Sequence, residues 1–114
     1  MLKQWFQRIR QHLLQSQAQK PVPEIPAEAE LILYKFDACP FCRRVMKKVK
    51  ELQLNIEYKD TKNSPQNRQD LYQIGGKTQV PCLLINGQPL YESKDINHAL
   101  QIYADRLSSP SKSA

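Results

Sequence analysis

Cys39 and Cys42 stand one helical turn apart in "YKFDACPFCRRVM", residues 34–46, with Pro40 and Phe41 between them and Arg43 and Arg44 directly after. Two thiols at this spacing can supply half of a tetrahedral metal site, close a structural disulfide or run thiol–disulfide exchange. A structural zinc site needs two further ligands, and only Cys82, His12 and His98 remain, with no second C-x-x-C. No metal is therefore expected. A disulfide framework of the secreted kind fits poorly with three cysteines, two of them in one C-x-x-C. The position of the pair favours redox chemistry. It follows an apolar run and opens a helix, so the Cys39 sulfur lies beside unpaired N–H groups whose partial positive charge favours a thiolate. Cys39 is then the nucleophile. Cys42, one turn inside, is placed to attack a mixed disulfide formed on Cys39. Pro40 suits the first turn, where no N–H is needed.

The elements that must position this pair can be read on either side of it. "LILYKF" (31–36) is apolar enough to be a central strand buried on both faces. Val45, Met46, Val49 and Leu52 recur at helical spacing, and "LNIEY" (54–58) alternates Leu54, Ile56 and Tyr58 as a strand does. Ser64-Pro65 opens and Gly75-Gly76 closes a short helix, with Leu71 and Ile74 expected to face inward. "PCLLI" (81–85) and "PLY" (89–91) flank Asn86-Gly87, a two-residue hairpin signal. Ser93 is expected to cap a last helix whose buried stripe is Ile96, Leu100 and Tyr103. The order βαβ, α, β-hairpin, α predicts an α/β, thioredoxin-like fold. Its sheet would be four-stranded and mixed, with helices on both faces.

The 114 residues leave room for one domain and its tails. Residues 1–20 place Leu2, Trp5, Phe6, Ile9 and Leu13 on one stripe of a predicted amphipathic basic helix. Residues 21–29 carry three prolines and form a predicted extended linker. Residues 30–107 are the predicted domain and 108–114 a flexible tail. Of the net charge of +6, four units fall in the first twenty residues, which contain no acid, and the other 94 carry +2. This distribution argues against a nucleic-acid-binding core. No apolar run approaches the ~20 residues that span a bilayer. The start of the chain lacks the apolar core and cleavage site of a secretory signal, so the expectation is a reducing, cytoplasmic compartment. The basic helix could pack on its own domain, pair with another copy or a partner, or lie peripherally on an anionic membrane.

These residues resemble the glutaredoxins from about Glu30 to Leu107. "CPFC" is similar to the family's C-P-[YF]-C active site, and "GGKTQVPCLLINGQPLYESKDI" (75–96) resembles its second signature. The resemblance implies glutathione as cosubstrate and disulfide-bonded or glutathionylated proteins as partners. It implies Pro81 as a cis-proline beside the cysteines, and Val80 as the residue whose backbone pairs with the cysteinyl part of glutathione. Lys35 and Lys77 would attract the glycine carboxylate, while Ser93 and the N–H of Lys94 would receive the γ-glutamyl carboxylate at a helix N-terminus. Phe41 and Gln79 would border the groove. Lys35 stands four positions before Cys39, one further than in many glutaredoxins. Cys82, next to the expected cis-proline, reads as a buried strand cysteine or as an additional redox-active thiol.

"YESKDI" (91–96) also resembles the Glu-Ser pair of glutathione transferase N-terminal domains, which makes Glu92 a ligand for the γ-glutamyl ammonium. Transferases continue into an all-helical second domain, and this chain ends within about ten residues of its last helix. The activity expected is therefore that of a glutathione-dependent thiol–disulfide oxidoreductase. Two readings stand beside it: a transferase-like domain, and a dimer sharing a [2Fe–2S] cluster through Cys39 and glutathione.

Overall fold

The computed structural model describes residues 22–108. The predicted helix at 1–20 and most of the predicted tail lie outside the described residues. The chain runs β1 (Leu31–Lys35), α1 (Pro40–Glu51), β2 (Glu57–Asp60), α2 (Pro65–Gly75), β3 (Cys82–Ile85), β4 (Gln88–Tyr91) and α3 (Ser93–Leu107). The four strands form one mixed sheet in the order β2-β1-β3-β4. β1 is parallel to β2 and antiparallel to β3, and β3 pairs antiparallel with β4.

Both faces of β1 are covered, as its unbroken apolar run requires. Leu31 and Leu33 join Leu83 and Ile85 of β3 in a core closed by Val45 and Val49 of α1 and Ile96, Leu100 and Tyr103 of α3. On the opposite face Tyr34 packs with Cys82, Leu84 and Leu71 of α2. The period of two along each strand thus divides the apolar side chains between two layers of helix. This is the predicted thioredoxin-like arrangement.

Local signals set the element ends. The Ser64 hydroxyl accepts from the Asn67 N–H at 3.3 Å, Pro65 follows at the first helical position, and Gly76 closes α2 at φ +77°. Asn86 and Gly87 both have positive φ, the requirement of a type I′ hairpin. The Asn86 side chain also accepts from the Glu30 N–H at 2.9 Å, and its own N–H donates to the Glu30 carbonyl at 3.0 Å. The hairpin turn is thereby tied to the start of β1.

Three expectations need correction. β2 begins at Glu57 rather than Leu54; Leu54 and Ile56 pack against the core before the strand starts, and Tyr58 is exposed. Pairing with β1, not the apolar alternation, decides where the ladder begins. Ile74, expected inside, is exposed, because α2 meets the sheet chiefly through Leu71. In the proline-rich stretch ahead of β1, Ile25 is only 3% exposed and belongs to the main core. Tyr103 donates to the Ala27 carbonyl at 3.3 Å and Arg106 pairs with Glu24, so α3 holds this stretch on the domain.

Gly75 ends α2 where any Cβ would overlap the Tyr91 hydroxyl of β4. The Tyr91 ring carries the Lys77 ammonium 4.1 Å from its centre, and its hydroxyl is buried without a hydrogen-bond partner. Gly75→Ala is expected to cost about 1–3 kcal/mol by overpacking. Removing the hydroxyl with Tyr91→Phe should relieve most of that cost, as measured by urea unfolding of the two single variants and the double. An equal cost in both backgrounds would contradict this packing.

Candidate active site

Cys39 is the N-cap of α1. Its backbone is extended (φ −77°, ψ 119°), Pro40 begins the helix, and its Sγ accepts from the Cys42 N–H at 3.4 Å. The position is usually filled by a side-chain oxygen that takes up an orphan N–H. Here a sulfur does so. The Cys39 N–H donates to the Phe36 carbonyl at 3.2 Å and the Cys39 carbonyl accepts from the Arg43 N–H at 3.0 Å, which fixes the turn from β1 into α1. Cys39 retains 7% of its surface, and Cys42 none. Burial, reinforced by the neighbouring Cys39 thiol, pushes the Cys42 thiol up to about 12 against a weaker lowering by the Phe36 backbone. The two sulfurs, one turn apart, therefore occupy unlike environments.

Beside this turn lies a groove of about 410 Å³ lined by Phe41, Arg44, Gln79, Val80, Pro81, Glu92, Ser93 and Lys94. Its volume falls in the range that holds small ligands. The Val80–Pro81 peptide is cis. Gln79 donates to the Glu92 carboxylate at 3.3 Å, linking the two stretches that form one wall. On the other wall Phe41 is 54% exposed, with the Arg44 guanidinium 5.7 Å from its ring centre.

The start of α3 differs from the expected serine cap. Glu92 holds the cap position with φ +72°, and Ser93 is the first helical residue. No side chain caps this helix, so its first N–H groups stay available at an end whose Ser93 and Lys94 line the groove. The unusual backbone at Glu92, of a kind that costs about 1–3 kcal/mol, turns β4 sharply into α3.

The structure brings Phe41, Gln79, Val80, Pro81, Glu92, Ser93 and Lys94 to one groove and leaves two lysines out of it. Lys35 is 2.7 Å from the Asp37 carboxylate and 3.6 Å from that of Asp60, with its ammonium 5.6 Å from the Tyr58 ring centre. The Asp37 hydrogen bond, above all, raises the Lys35 pKa, while backbone N–H donation from Asn63 leads in lowering that of Asp60. Lys77 stacks on Tyr91 and lines a separate recess of about 560 Å³ with Pro65, Arg68, Gln69, Tyr72 and Thr78. That recess is larger, but none of residues 39–42 lines it, whereas Phe41, between the two cysteines, lines the smaller groove. Arg44 is the groove residue that sequence reasoning missed. Its spacing of three from Phe41 places the two on one helical row, which was the available signal.

Cys82 is fully buried on the α2 face of the sheet, and desolvation pushes its thiol up to about 11 despite the partial relief of the nearby Tyr91 hydroxyl. Among the described residues no three or more His, Cys, Asp or Glu side chains gather as a metal site.

Comparison with known proteins gives the following. The family described as glutathione S-transferase, N-terminal domain, matches residues 33–106. A glutathione transferase homologue from Drosophila mojavensis, solved with bound glutathione, superposes with a TM-score of 0.57 at 24% identity, over 67% of this chain and 36% of that one. Leishmania TDR1, a trimeric glutathione transferase, gives 0.54 at 28% identity, over 71% of this chain and 17% of that one. Oxidized glutaredoxin 2 from Chlamydomonas reinhardtii gives 0.54 at 20% identity, over 77% and 87%. The chain thus spans about a third or less of the length of these transferases. No curated protein matches it.

The unlike burial of the three thiols can be checked directly. Cys42 and Cys82, with ionisation raised to about 12 and about 11, stay protonated and sheltered at neutral pH. Iodoacetamide at pH 7.5 is expected to modify Cys39 alone in the native reduced chain and all three cysteines once it is unfolded, as read by peptide mass mapping. Faster labelling of Cys42 than of Cys39 would contradict the geometry.

Proposed function

The chain belongs to the family of glutathione S-transferase N-terminal domains, and from that premise we propose that it acts as a glutathione-dependent thiol–disulfide oxidoreductase of the glutaredoxin type. The observation that carries this reading is the pair of sulfurs one turn apart, with Cys39 capping α1 beside a groove and Cys42 buried beneath it. Conjugation of glutathione to an electrophile has no use for a second thiol at that position. Reduction of disulfides does.

Glutathione fits the groove by the chemistry of its lining. The γ-glutamyl carboxylate would lie on the uncapped N–H groups at Ser93 and Lys94, and its ammonium near the Glu92 carboxylate. The cysteinyl segment would run along Val80 and Pro81, with Phe41 and Gln79 at the rim. Lys35 and Lys77 are held by other partners, Lys35 by the carboxylates of Asp37 and Asp60 and Lys77 by the Tyr91 ring, so they are left out of the proposed glutathione contacts.

The Cys39 thiolate attacks the glutathione sulfur of a protein–glutathione mixed disulfide. That S–S bond breaks, a bond from Cys39 to the glutathione sulfur forms, and the protein leaves as a thiolate that takes up a proton. A second glutathione thiolate then attacks the bound glutathione sulfur, releasing glutathione disulfide and the Cys39 thiolate. With a protein disulfide, the Cys39 thiolate attacks one of its sulfurs; the protein's S–S bond breaks, the other sulfur leaves as a thiolate that takes up a proton, and Cys39 is left in a mixed disulfide with the protein. Cys42 then attacks the Cys39 sulfur; the bond from Cys39 to the protein breaks, the Cys42 proton passes to the departing protein thiolate, and the Cys39–Cys42 disulfide closes, to be reduced by two glutathiones that leave as glutathione disulfide. Such chemistry suits a reducing, cytoplasmic-type compartment.

A transferase-like reading is favoured by the family match itself. Two assays on one preparation separate the two: reduction of a glutathione mixed disulfide, and conjugation of glutathione to 1-chloro-2,4-dinitrobenzene. Reduction is expected to dominate. Cys39→Ser should lower it by about a hundredfold or more, while Cys42→Ser keeps it within about threefold but loses reduction of protein disulfides. Robust conjugation with no reduction would overturn the proposal.

A further inference from the structure

The exposed face of α1 concentrates positive charge, of which only Arg43, whose Nε donates to the Asp37 carbonyl at 2.9 Å, has a hydrogen-bond partner among the described residues. Arg43, Arg44, Lys47, Lys48 and Lys50 stand against a single acid, Glu51, for a net +4. The rest of residues 21–114 carries eight cations and ten acids, a net −2. Every Asp and Glu side chain of the protein lies among the described residues, and none pairs with Arg44, Lys47, Lys48 or Lys50.

Helix stability does not account for this charge. Lys48 and Lys50 suit the C-terminal end of the macrodipole, but Arg43 and Arg44 oppose it at the N-terminal end, where no acid stands. Arg43 with Lys47, and Arg44 with Lys48, are like charges four apart, which weaken a helix. The rows start at the candidate site, since Arg44 lines the groove and Arg43 follows Cys42 directly. At 1.5 Å per residue the rows themselves run about 10 Å, and their far end at Lys50 stands roughly 16 Å along the helix from Cys39, about five extended residues from the thiol and farther than a tripeptide held there reaches.

We propose that the exposed face of α1 is a docking surface for acidic polypeptides, and that it selects disulfide or glutathionylated substrates whose reacting cysteine is flanked by Asp and Glu. This rests on the oxidoreductase reading. A polypeptide is favoured over a nucleic acid or a lipid surface because the charged rows lead to a thiol, and a polypeptide can bring the sulfur that the thiol attacks. Charge of this kind acts mainly on the encounter rate and fades with salt.

The test uses two glutathionylated peptides of equal length, one with Glu and the other with Lys around a single cysteine, and a small neutral thiol's mixed disulfide with glutathione. Wild type is expected to favour the Glu peptide in kcat/KM by about tenfold or more at low salt, with the preference lost in high salt. Lys47→Glu/Lys50→Glu should abolish or invert the preference and leave the small mixed disulfide unaffected, whereas Lys47→Arg/Lys50→Arg retains it. Equal use of both peptides by wild type, or an unchanged preference in the charge-reversed variant, overturns the proposal. If wild type fails on the small mixed disulfide, the oxidoreductase reading falls. Docking is then read by fluorescence anisotropy of the Glu peptide with Ser for Cys: binding weakened by charge reversal upholds it, and no binding overturns it. Tighter binding of single-stranded RNA or anionic vesicles than of that peptide overturns the choice of a polypeptide.

Discussion

A sulfur that caps a helix is the constraint on which the site depends. β1 ends at Lys35 and α1 begins at Pro40, so the chain has four residues in which to leave the sheet and present Cys39 to the first turn. Neither end can give way. β1 sits inside the sheet between β2 and β3 with both faces covered, and α1 is anchored through Val45 and Val49. Serine, aspartate or asparagine would cap α1 better than cysteine. Helix stability alone therefore does not account for a sulfur at this position.

The three cysteines show how position within one fold separates their surroundings. Cys39 keeps a small opening and an N–H partner, Cys42 is closed off beneath it, and Cys82 is closed off on the opposite face of the sheet. The segment before β3 complements the first of these. Gln79, Val80 and cis-Pro81 line the groove with Phe41 and Arg44, and the start of α3 at its edge has no side-chain cap. Three elements far apart in sequence thus meet around one thiol because β1 and β3 are neighbours in the sheet.

Features governed by local chemistry were legible in the sequence. The doubly buried β1, the helix opened by Cys39-Pro40, the Ser64-Pro65 start of α2 and the Asn86-Gly87 turn all follow from residue type at a given position. Features governed by tertiary partners were not. β2 starts where β1 offers hydrogen bonds, Ile25 is drawn into the core by α3, and Lys35 is captured by Asp37 and Asp60. Ser93 resembled a cap in sequence, but the positive φ of Glu92 moves the cap position back by one residue. Seven of the proposed ligand residues could be placed in one groove because they flank element ends. Arg44 escaped because an exposed helical arginine looks the same in sequence whether it faces solvent or a groove.

The central claim is that glutathione occupies the groove beside Cys39. Titration of reduced glutathione into the isotopically labelled chain, followed by amide NMR, tests it most directly. The account expects the amides of Arg44, Val80, Ser93 and Lys94 to shift together along one saturable curve. Shifts confined to Arg68, Tyr72 and Lys77 around the larger recess, or no shift at millimolar glutathione, would contradict it.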